Sequence, residues 1–347
     1  MNKILDLFDE QIVRSLLEKE ILPLYPRFTE ILSLRVRPYK ELIWTSTYHV
    51  VIAYHVKFLH VNGQKVKLEI VCSAHSDEPR EVVFKVLKYL EQSSLSSDSV
   101  ALPRPLFFSA QYNGVFYRAV EGKHLLRIIK EGKKLKTKKM VVQAARLFAT
   151  LHNLKLPDDL SIFSDDNRLL RTVVPGRNMI IKEIGERFGD AYVGSVSELY
   201  TSFIEQEEQF FASTDKRWLI HGDAHPENII SAGKNKIGLI DFTDFCPADF
   251  ARDLGTFMQQ LEYKIMRHFN DQELASAMKQ LFLNSYLEFT NIKLDEGLQK
   301  RIDLYYNWTA IRTATFWLLK HDCEPHKAEV NINKIKNNLI SKYHAQD

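Results

Sequence analysis

The sequence is short of the features that mark several large classes of protein. Its three cysteines, Cys72, Cys246 and Cys323, are far apart and have no paired spacing, so they predict neither a disulfide framework nor a zinc site. No apolar run is long enough to span a membrane. The opening residues interrupt their apolar positions with Asp9 and Glu10, as an amphipathic helix does and a signal peptide does not. We therefore expect a cytoplasmic protein without a membrane partner.

A large excess of charge of one sign is also missing. With 47 Lys and Arg against 44 Asp and Glu, the formal net charge is +3, which is too small to indicate a nucleic-acid partner. It also argues against a strongly cationic ligand. Hydrophobic residues make up 45% of the 347 residues, enough for two lobes of ordinary domain size. The sequence leaves the oligomeric state open.

The pattern of the chain changes after Gly122. Before it, segments rich in Val, Ile and Tyr indicate a strand meander, the stretch "DEPREVVFKVLKYLEQ" indicates one helix, and two more strands flank a turn at Asn113-Gly114. After it, long segments with apolar residues at helical spacing predominate. The sequence thus predicts an α+β fold, with a small antiparallel-sheet lobe over residues 1–118 and a larger, mainly helical lobe over residues 119–347.

Polar residues gather in "HGDAHPENII", residues 221–230, and in "KIGLIDFTDF", residues 236–245. The β-branched segments between Asn228 and Asp241 predict a tight hairpin, which would bring these two side chains together at its open end. Asp223 lies on the loop that enters the hairpin. Oxygen ligands from Asn228 and Asp241 suit Mg²⁺, and a carboxylate held off the metal suits a base in phosphoryl transfer.

A second interpretation makes His221, Asp223 and His225 a metal triad on one face of a strand, as in a metallohydrolase. Pro226 argues against a continuous strand at this point. The sequence also shows no second cluster of His and carboxylate residues at close spacing. The metallohydrolase remains an alternative.

The same stretches resemble the catalytic and metal-binding loops of the aminoglycoside phosphotransferase and choline kinase family, which are small-molecule kinases with a protein-kinase-like two-lobe fold. "LFATLHNL" is similar to the end of the family's long helix, and "CPADFARDLGTF" to its Pro-containing turn followed by Asp-Leu. The resemblance implies an enzyme that transfers the γ-phosphate of ATP or GTP to a hydroxyl of a small molecule. The acceptor would be a sugar, an amino alcohol or an antibiotic.

The resemblance also implies roles for individual residues. Asp223 is expected to be the catalytic base, and Asn228 and Asp241 are expected to bind Mg²⁺. Three residues are expected to support the site structurally: His221, His225 and Asp253. The sequence does not decide whether Asp244 and Asp249 face the substrate or solvent.

The amino-terminal half departs from the family. No glycine precedes Gly63, so the candidate phosphate-covering hairpin, "RPYKELIWTSTYHV", lacks the residue that lets backbone N–H groups approach phosphates closely. The family's strand lysine has no clear counterpart, since Lys67 and Lys57 are only the nearest candidates. The residues expected to bind the nucleotide are Lys67, Glu81 and Ala119.

Other functions stay open beside the active kinase. A catalytically impaired kinase-like binding module would explain the missing glycine, and a kinase that acts on a protein would carry the same loop. The segment 163–192 lies where such kinases often carry substrate-specific elements, and it mixes acidic with basic residues. An anionic acceptor is therefore as plausible as an antibiotic.

Overall fold

The computed structural model of the chain describes residues 2–78 and 80–343. The strands are β1 (Phe28–Ile43), β2 (Tyr48–His60), β3 (Lys65–His75), β4 (Val100–Ala101), β5 (Arg104–Ser109), β6 (Gly114–Arg118), β7 (Lys123–His124), β8 (Trp218–Ile220), β9 (Ile229–Ser231), β10 (Ile237–Leu239) and β11 (Cys246–Ala248). The helices are α1 (Glu10–Ile21), α2 (Arg80–Gln92), α3 (Leu125–Lys130), α4 (Lys134–His152), α5 (Arg177–Phe188), α6 (Val193–Ala212), α7 (Ala251–Phe269), α8 (Gln272–Thr290), α9 (Glu296–Leu319) and α10 (Pro325–Tyr343).

The chain divides into two compact units. Unit 1 comprises residues 1–122 and 232–243, and unit 2 comprises residues 123–231 and 244–347. Unit 1 contains the longest strands, whereas unit 2 contains most of the helices. The boundary predicted between residues 118 and 119 stays a prediction.

Unit 1 is built on a five-stranded antiparallel sheet in the order β1-β2-β3-β6-β5. The meander follows from alternating β-branched residues and from a turn in which Gly63 adopts a φ of 79°. The expected amphipathic helix forms α1, which starts after Asp9 because that side chain accepts hydrogen bonds from two backbone N–H groups of the first turn. Its apolar residues pack on the sheet in one hydrophobic core.

The helix α2 also belongs to unit 1 and presents an apolar stripe. Val83, Leu87 and Leu90 are buried at helical spacing. Arg80 lies on the same stripe, three positions before Val83, and is 3% exposed. The short strand β10 pairs in parallel with β4 in this unit.

Unit 2 is helical, and α7 and α9 make its closest helix contact. A Cβ atom on Gly255 of α7 would lie 2.6 Å from both the Ile302 carbonyl oxygen and the Tyr306 nitrogen of α9. The two backbones therefore touch at a point where only glycine fits. The rings of Phe148, Phe257 and Phe282 pack together and join α4, α7 and α8.

The sheet unit and the helical unit together confirm the predicted α+β class. Among the residues that the structure describes, no helix combines the length and the apolar character that crossing a bilayer requires.

Candidate active site

The loop between β8 and β9 is held by the carboxylate of Asp253. The backbone N–H of His221 donates to Asp253 Oδ2 at 2.7 Å, and the N–H of Gly222 donates to Oδ1 at 2.9 Å. Gly222 has a φ of 83°, and a Cβ atom there would lie 2.2 Å from the carbonyl oxygen of Asp244. Glycine is thus required on both conformational and steric grounds.

Asp253 belongs to a buried polar network. It lies in the first turn of α7 and is fully buried. The Nε2 atom of His152, the last residue of α4, lies 3.1 Å from Asp253 Oδ2, and its Nδ1 lies 2.9 Å from the Tyr286 hydroxyl. Burial raises the pKa of Asp253, but the hydrogen bond and charge of His152 outweigh burial and hold the pKa below its ordinary value. An ionised carboxylate therefore fixes the loop.

Asp223 is oriented by the imidazole of His225. The Nδ1 atom of His225 accepts the backbone N–H of Glu227 at 3.1 Å, so in the neutral ring the proton is on Nε2, which lies 3.2 Å from Asp223 Oδ2. Burial raises the pKa of Asp223, but the hydrogen bond from His225 and the charges of His225, His221 and Arg312 together lower the pKa to about 2. The carboxylate is ionised and ready to accept a proton.

Asn228 binds Asp223 through its side-chain nitrogen. Its Nδ2 atom donates to the backbone carbonyl of Asp223 at 2.9 Å, and the residue is 4% exposed. With the nitrogen used in this way, the carbonyl oxygen Oδ1 is the side-chain atom that suits a hard cation. The residue therefore fits the role of a magnesium ligand.

In unit 1, Asp241 lies in the loop that follows β10. Its φ is 65°, a left-handed conformation that only a minority of non-glycine residues adopt. The Thr243 hydroxyl donates to Asp241 Oδ1 at 2.9 Å, and the guanidinium of Arg80 donates in turn to Thr243 Oγ1 at 3.0 Å. Asp241 thus has its carboxylate oriented by a residue of helix α2.

Sequence reasoning missed Arg80. Its guanidinium forms an ion pair with Glu78 at 2.8 Å, while its buried Nε has no hydrogen-bond partner among residues 2–78 and 80–343. It shares a small cavity of about 30 Å³ with Asp241 and Thr243. The signal was available, because an arginine on the apolar stripe of an amphipathic helix is seldom buried without a specific polar partner.

The predicted histidine triad does not form a cluster of ligand atoms. Within residues 2–78 and 80–343, the one group of imidazole and carboxylate atoms at mutual metal-ligand distance consists of His49, His75 and Glu78. There, His75 Nδ1 accepts two backbone N–H groups, which places the ring proton on Nε2, facing Glu78 at 3.4 Å. A protonated nitrogen offers no lone pair to a metal.

A cavity of about 400 Å³ lies beside Asp223 within unit 2. Part of its lining is a stripe of α7 that includes Thr256 and Gln260, and a neighbouring part is a stripe of α9 that includes Trp308 and Arg312. Positions four apart in each helix face the same space. The volume suits a small organic molecule.

The sequence model of the phosphotransferase enzyme family matches residues 56–286. The chain belongs to this family. The match covers the Asp223 loop, Asp241 and Asp253, and it confirms the resemblance predicted from the motifs. A sequence comparison with curated proteins gives no match.

Solved structures of kinases share the fold of this family member. A choline kinase from Cryptosporidium parvum Iowa II is 15% identical, with 96% of this chain and 97% of that chain covered at a TM-score of 0.63. A Plasmodium vivax ethanolamine kinase is 18% identical, with 87% and 82% covered at a TM-score of 0.55. A GDP complex of aminoglycoside 2′-phosphotransferase-IIIa is 16% identical, with 94% and 99% covered at 0.53. The predicted protein-kinase-like fold is confirmed.

The residues predicted to bind the nucleotide lie in unit 1 of this phosphotransferase family member. Glu81 forms an exposed ion pair with Lys85 at 3.1 Å, and the backbone N–H of Ala119 donates to the Glu69 carbonyl at 3.1 Å. Lys67 is exposed and pairs across the sheet with Lys57. Their role in nucleotide binding stays a prediction.

The two acidic residues that the sequence left undecided have different surroundings. Asp249 is fully buried and forms an ion pair with Arg301 at 2.5 Å, so it faces neither solvent nor the cavity. Asp244 lines the cavity and accepts a hydrogen bond from Asn167 at 2.8 Å. Of the segment 163–192, only Asn167 and Val173 line this cavity.

Proposed function

We propose that the protein transfers the γ-phosphate of ATP or GTP to a hydroxyl group of a small molecule, with Mg²⁺ as cofactor and Asp223 as the base. The observation that supports this proposal most directly is the ionised Asp223 in the lining of a cavity of small-molecule size. Its carboxylate is oriented by His225, and its backbone carbonyl accepts a hydrogen bond from Asn228. Membership of the phosphotransferase family supports this reaction class. The solved kinases support a nucleotide as the donor by analogy of fold.

In this proposal the protein positions the reactants and contributes little covalent chemistry. Because Asp223 Oδ2 faces His225, we assign Asp223 Oδ1 to the acceptor hydroxyl, from which it takes the proton as the phosphoryl group arrives. The hydrogen bonds from His221 and Gly222 to Asp253 keep the loop from moving during this step.

The metal assignment follows from the chemistry of the side chains. The side chain of Asn228 offers a carbonyl oxygen and that of Asp241 offers carboxylate oxygens, both of which are hard ligands. When bound, Mg²⁺ would neutralise charge on the nucleotide phosphates. Arg80, through Thr243, orients the Asp241 carboxylate for this purpose.

We also assign the buried cation Arg80 to nucleotide binding, in addition to the predicted Lys67. Six strand residues, about 20 Å at the usual rise per residue, separate Lys67 from Ser73, which shares the small cavity with Arg80 and Asp241. A lysine side chain does not cover that distance. Lys67 remains a candidate for another part of the nucleotide.

The test combines binding with turnover. Mg-ATP and Mg-GTP should each be tested for a shift in melting temperature, and the nucleotide that binds should then label a component of a metabolite extract. Asp223→Ala protein should stay folded, show the same nucleotide shift and lose the labelling. Asp215→Ala is the matched control, because Asp215 is an exposed carboxylate in the segment before β8.

Each other outcome points to a different function. Unchanged labelling by Asp223→Ala protein would remove Asp223 from the role of base. The absence of any nucleotide shift would favour the binding module, for which the glycine-free β1–β2 hairpin is the motivating observation. Label on a protein instead of a metabolite would indicate a protein kinase.

A further inference from the structure

Arg312 has a guanidinium group whose hydrogen bonds are incomplete. Its NH1 atom is buried and has no hydrogen-bond partner in the part of the chain that the structure describes, and its NH2 atom makes one long contact, 3.4 Å, with the Val174 carbonyl. Among the described residues, no Asp or Glu lies at ion-pair distance from it. A buried charged donor without an acceptor is costly, and a ligand that supplies the acceptor would remove this cost.

Arg312 lies in the same cavity as Asp223. Both residues line it, and the charge of Arg312 contributes to the lowered pKa of Asp223. Arg312 reaches the cavity because of its position in α9: Trp308 and Phe316, one helical turn before and after it, also line the cavity. A ligand with its hydroxyl at Asp223 can therefore reach Arg312 with another group.

The other charges of the cavity are largely compensated. Lys264 forms an ion pair with Glu227 at 2.6 Å, and the buried Arg252 donates to the Asn167 carbonyl at 2.5 Å. Arg267 is exposed and stacks over the Trp317 ring at 5.8 Å. The cavity also contains the carboxylate of Asp244, whose charge interacts with that of Arg252. With Asp244 set against Arg252 and Glu227 against Lys264, the guanidinium of Arg312 is left without an ion-pair partner among the described residues. At that position the cavity attracts an anionic group and repels an ammonium group.

We propose that the acceptor of this phosphotransferase is an anionic hydroxyl compound, whose carboxylate or phosphate group binds Arg312 while its hydroxyl faces Asp223. This inference rests on the proposed function and names its substrate class. The guanidinium offers two parallel N–H donors to the paired oxygens of such a group. An aminoglycoside or a choline-like compound would instead bring a cation toward the Arg312 guanidinium, which repels it.

The test measures binding of defined probes without nucleotide. Glycerate carries a carboxylate, glycerol 3-phosphate carries a phosphate, glycerol is neutral, and choline is cationic. We expect one or both anions to bind and to raise the melting temperature, whereas glycerol and choline do not. The anion that binds identifies the acidic group that the site prefers.

Variants assign the binding to Arg312. Arg312→Gln should raise the Kd of the bound anion about ten- to hundredfold, as expected for the loss of one charge-assisted pair, and Arg312→Lys should restore part of the affinity. Lys300→Gln is the matched control for net charge, because Lys300 is exposed on the same helix and pairs only with Glu296 at 2.7 Å. Its Kd should equal that of the unmodified protein.

Three results would overturn the inference: binding of choline and not of the anions, no binding of either anion, or an unchanged Kd in Arg312→Gln protein. If Arg312 instead held the transferred phosphoryl group, the variant would weaken Mg-nucleotide binding and leave the anion Kd unchanged. Because the probes need no nucleotide and no turnover, failure of phosphate transfer would refute the proposed function separately.

Discussion

The two units differ in how the residues of the predicted site are held. In unit 2, the Asp223 loop is fixed by the buried Asp253, which accepts two of its backbone N–H groups, and the Asp223 side chain is oriented by His225. In unit 1, the predicted Glu81 lies in an exposed ion pair, and a buried arginine next to it makes the contact with the Asp241 loop. The loop motif therefore specifies its own geometry, whereas unit 1 orients a carboxylate with a residue outside the family's pattern.

The largest effect should come from breaking the loop of unit 2. Gly222→Ala places a methyl group within 2.2 Å of the Asp244 carbonyl oxygen, so the backbone must shift and displace Asp223. A displacement of about 1 Å can cost on the order of a hundredfold in rate. We expect phosphate transfer to fall by about that factor, measured as initial rate of product formation.

The control for this substitution is Gly194→Ala. Gly194 lies in α6, and a Cβ atom there meets nothing within 4 Å. Alanine favours helix, so this variant should be as active and at least as stable as the unmodified protein. A fully active Gly222→Ala protein would show that the loop is less constrained than its contacts indicate.

A smaller effect should come from removing the buried arginine of unit 1. Arg80→Met leaves Thr243 without its donor and leaves Glu78 with His75 as its remaining partner. We expect the free energy of unfolding to fall by about 1–3 kcal/mol and the Kd for Mg-nucleotide to rise about tenfold, measured by denaturant titration and calorimetry.

Lys85→Met is the matched control for Arg80→Met. Lys85 is on the same helix but is 48% exposed, with a surface ion pair to Glu81, and such pairs contribute about 0–1 kcal/mol. Equal losses in the two variants would mean that Arg80 acts only through the charge of helix α2.

A still smaller effect is expected from adding the missing glycine. Ser46 lies in the exposed turn between β1 and β2, so Ser46→Gly should cost at most about 1 kcal/mol of stability. If this hairpin covers phosphates through side-chain hydroxyls, the variant weakens nucleotide binding. If it uses backbone N–H groups, the variant leaves the Kd unchanged or lowers it, as calorimetry would show.

The smallest effect on the transfer rate should come from a moderately acidic pH. The pKa of Asp223 is lowered from 3.8 to about 2, so the ionised form stabilises the folded state above the ordinary pKa, and this contribution is lost as pH falls toward 2. The transfer rate should therefore show no acid limb from Asp223 above about pH 4. A loss of this stabilisation near pH 6, measured as the difference in free energy of unfolding between the unmodified and the Asp223→Ala proteins, would contradict the lowered pKa.

The sequence predicted the elements that depend on residues close together in the chain. Strands β1 to β3, helix α2 and the turn at Asn113 follow from residues near one another in the chain, and the Asp223 loop follows from a contiguous motif. The fold class and the family are confirmed for this reason.

What depends on distant residues could not be predicted. Arg80 acquires its role from Thr243, which is 163 positions away, and Arg312 from a cavity formed where α7 faces α9. A helical pattern shows which residues share a stripe, but it does not show that two stripes enclose a space. The charges of the acceptor cavity thus became visible only in the folded chain.

The contact at Gly255 fixes the spacing of α7 and α9, which both contribute side chains to the lining of the cavity beside Asp223. Since no side chain fits between α7 and α9 at that point, the helices cannot be spaced more widely without losing their contact. With this spacing fixed, the shape and charge of that part of the cavity depend on the side chains that line it, such as Gln260 and Arg312. The two helices thus keep a constant spacing, and we expect the few side chains that they present to the cavity to set its specificity.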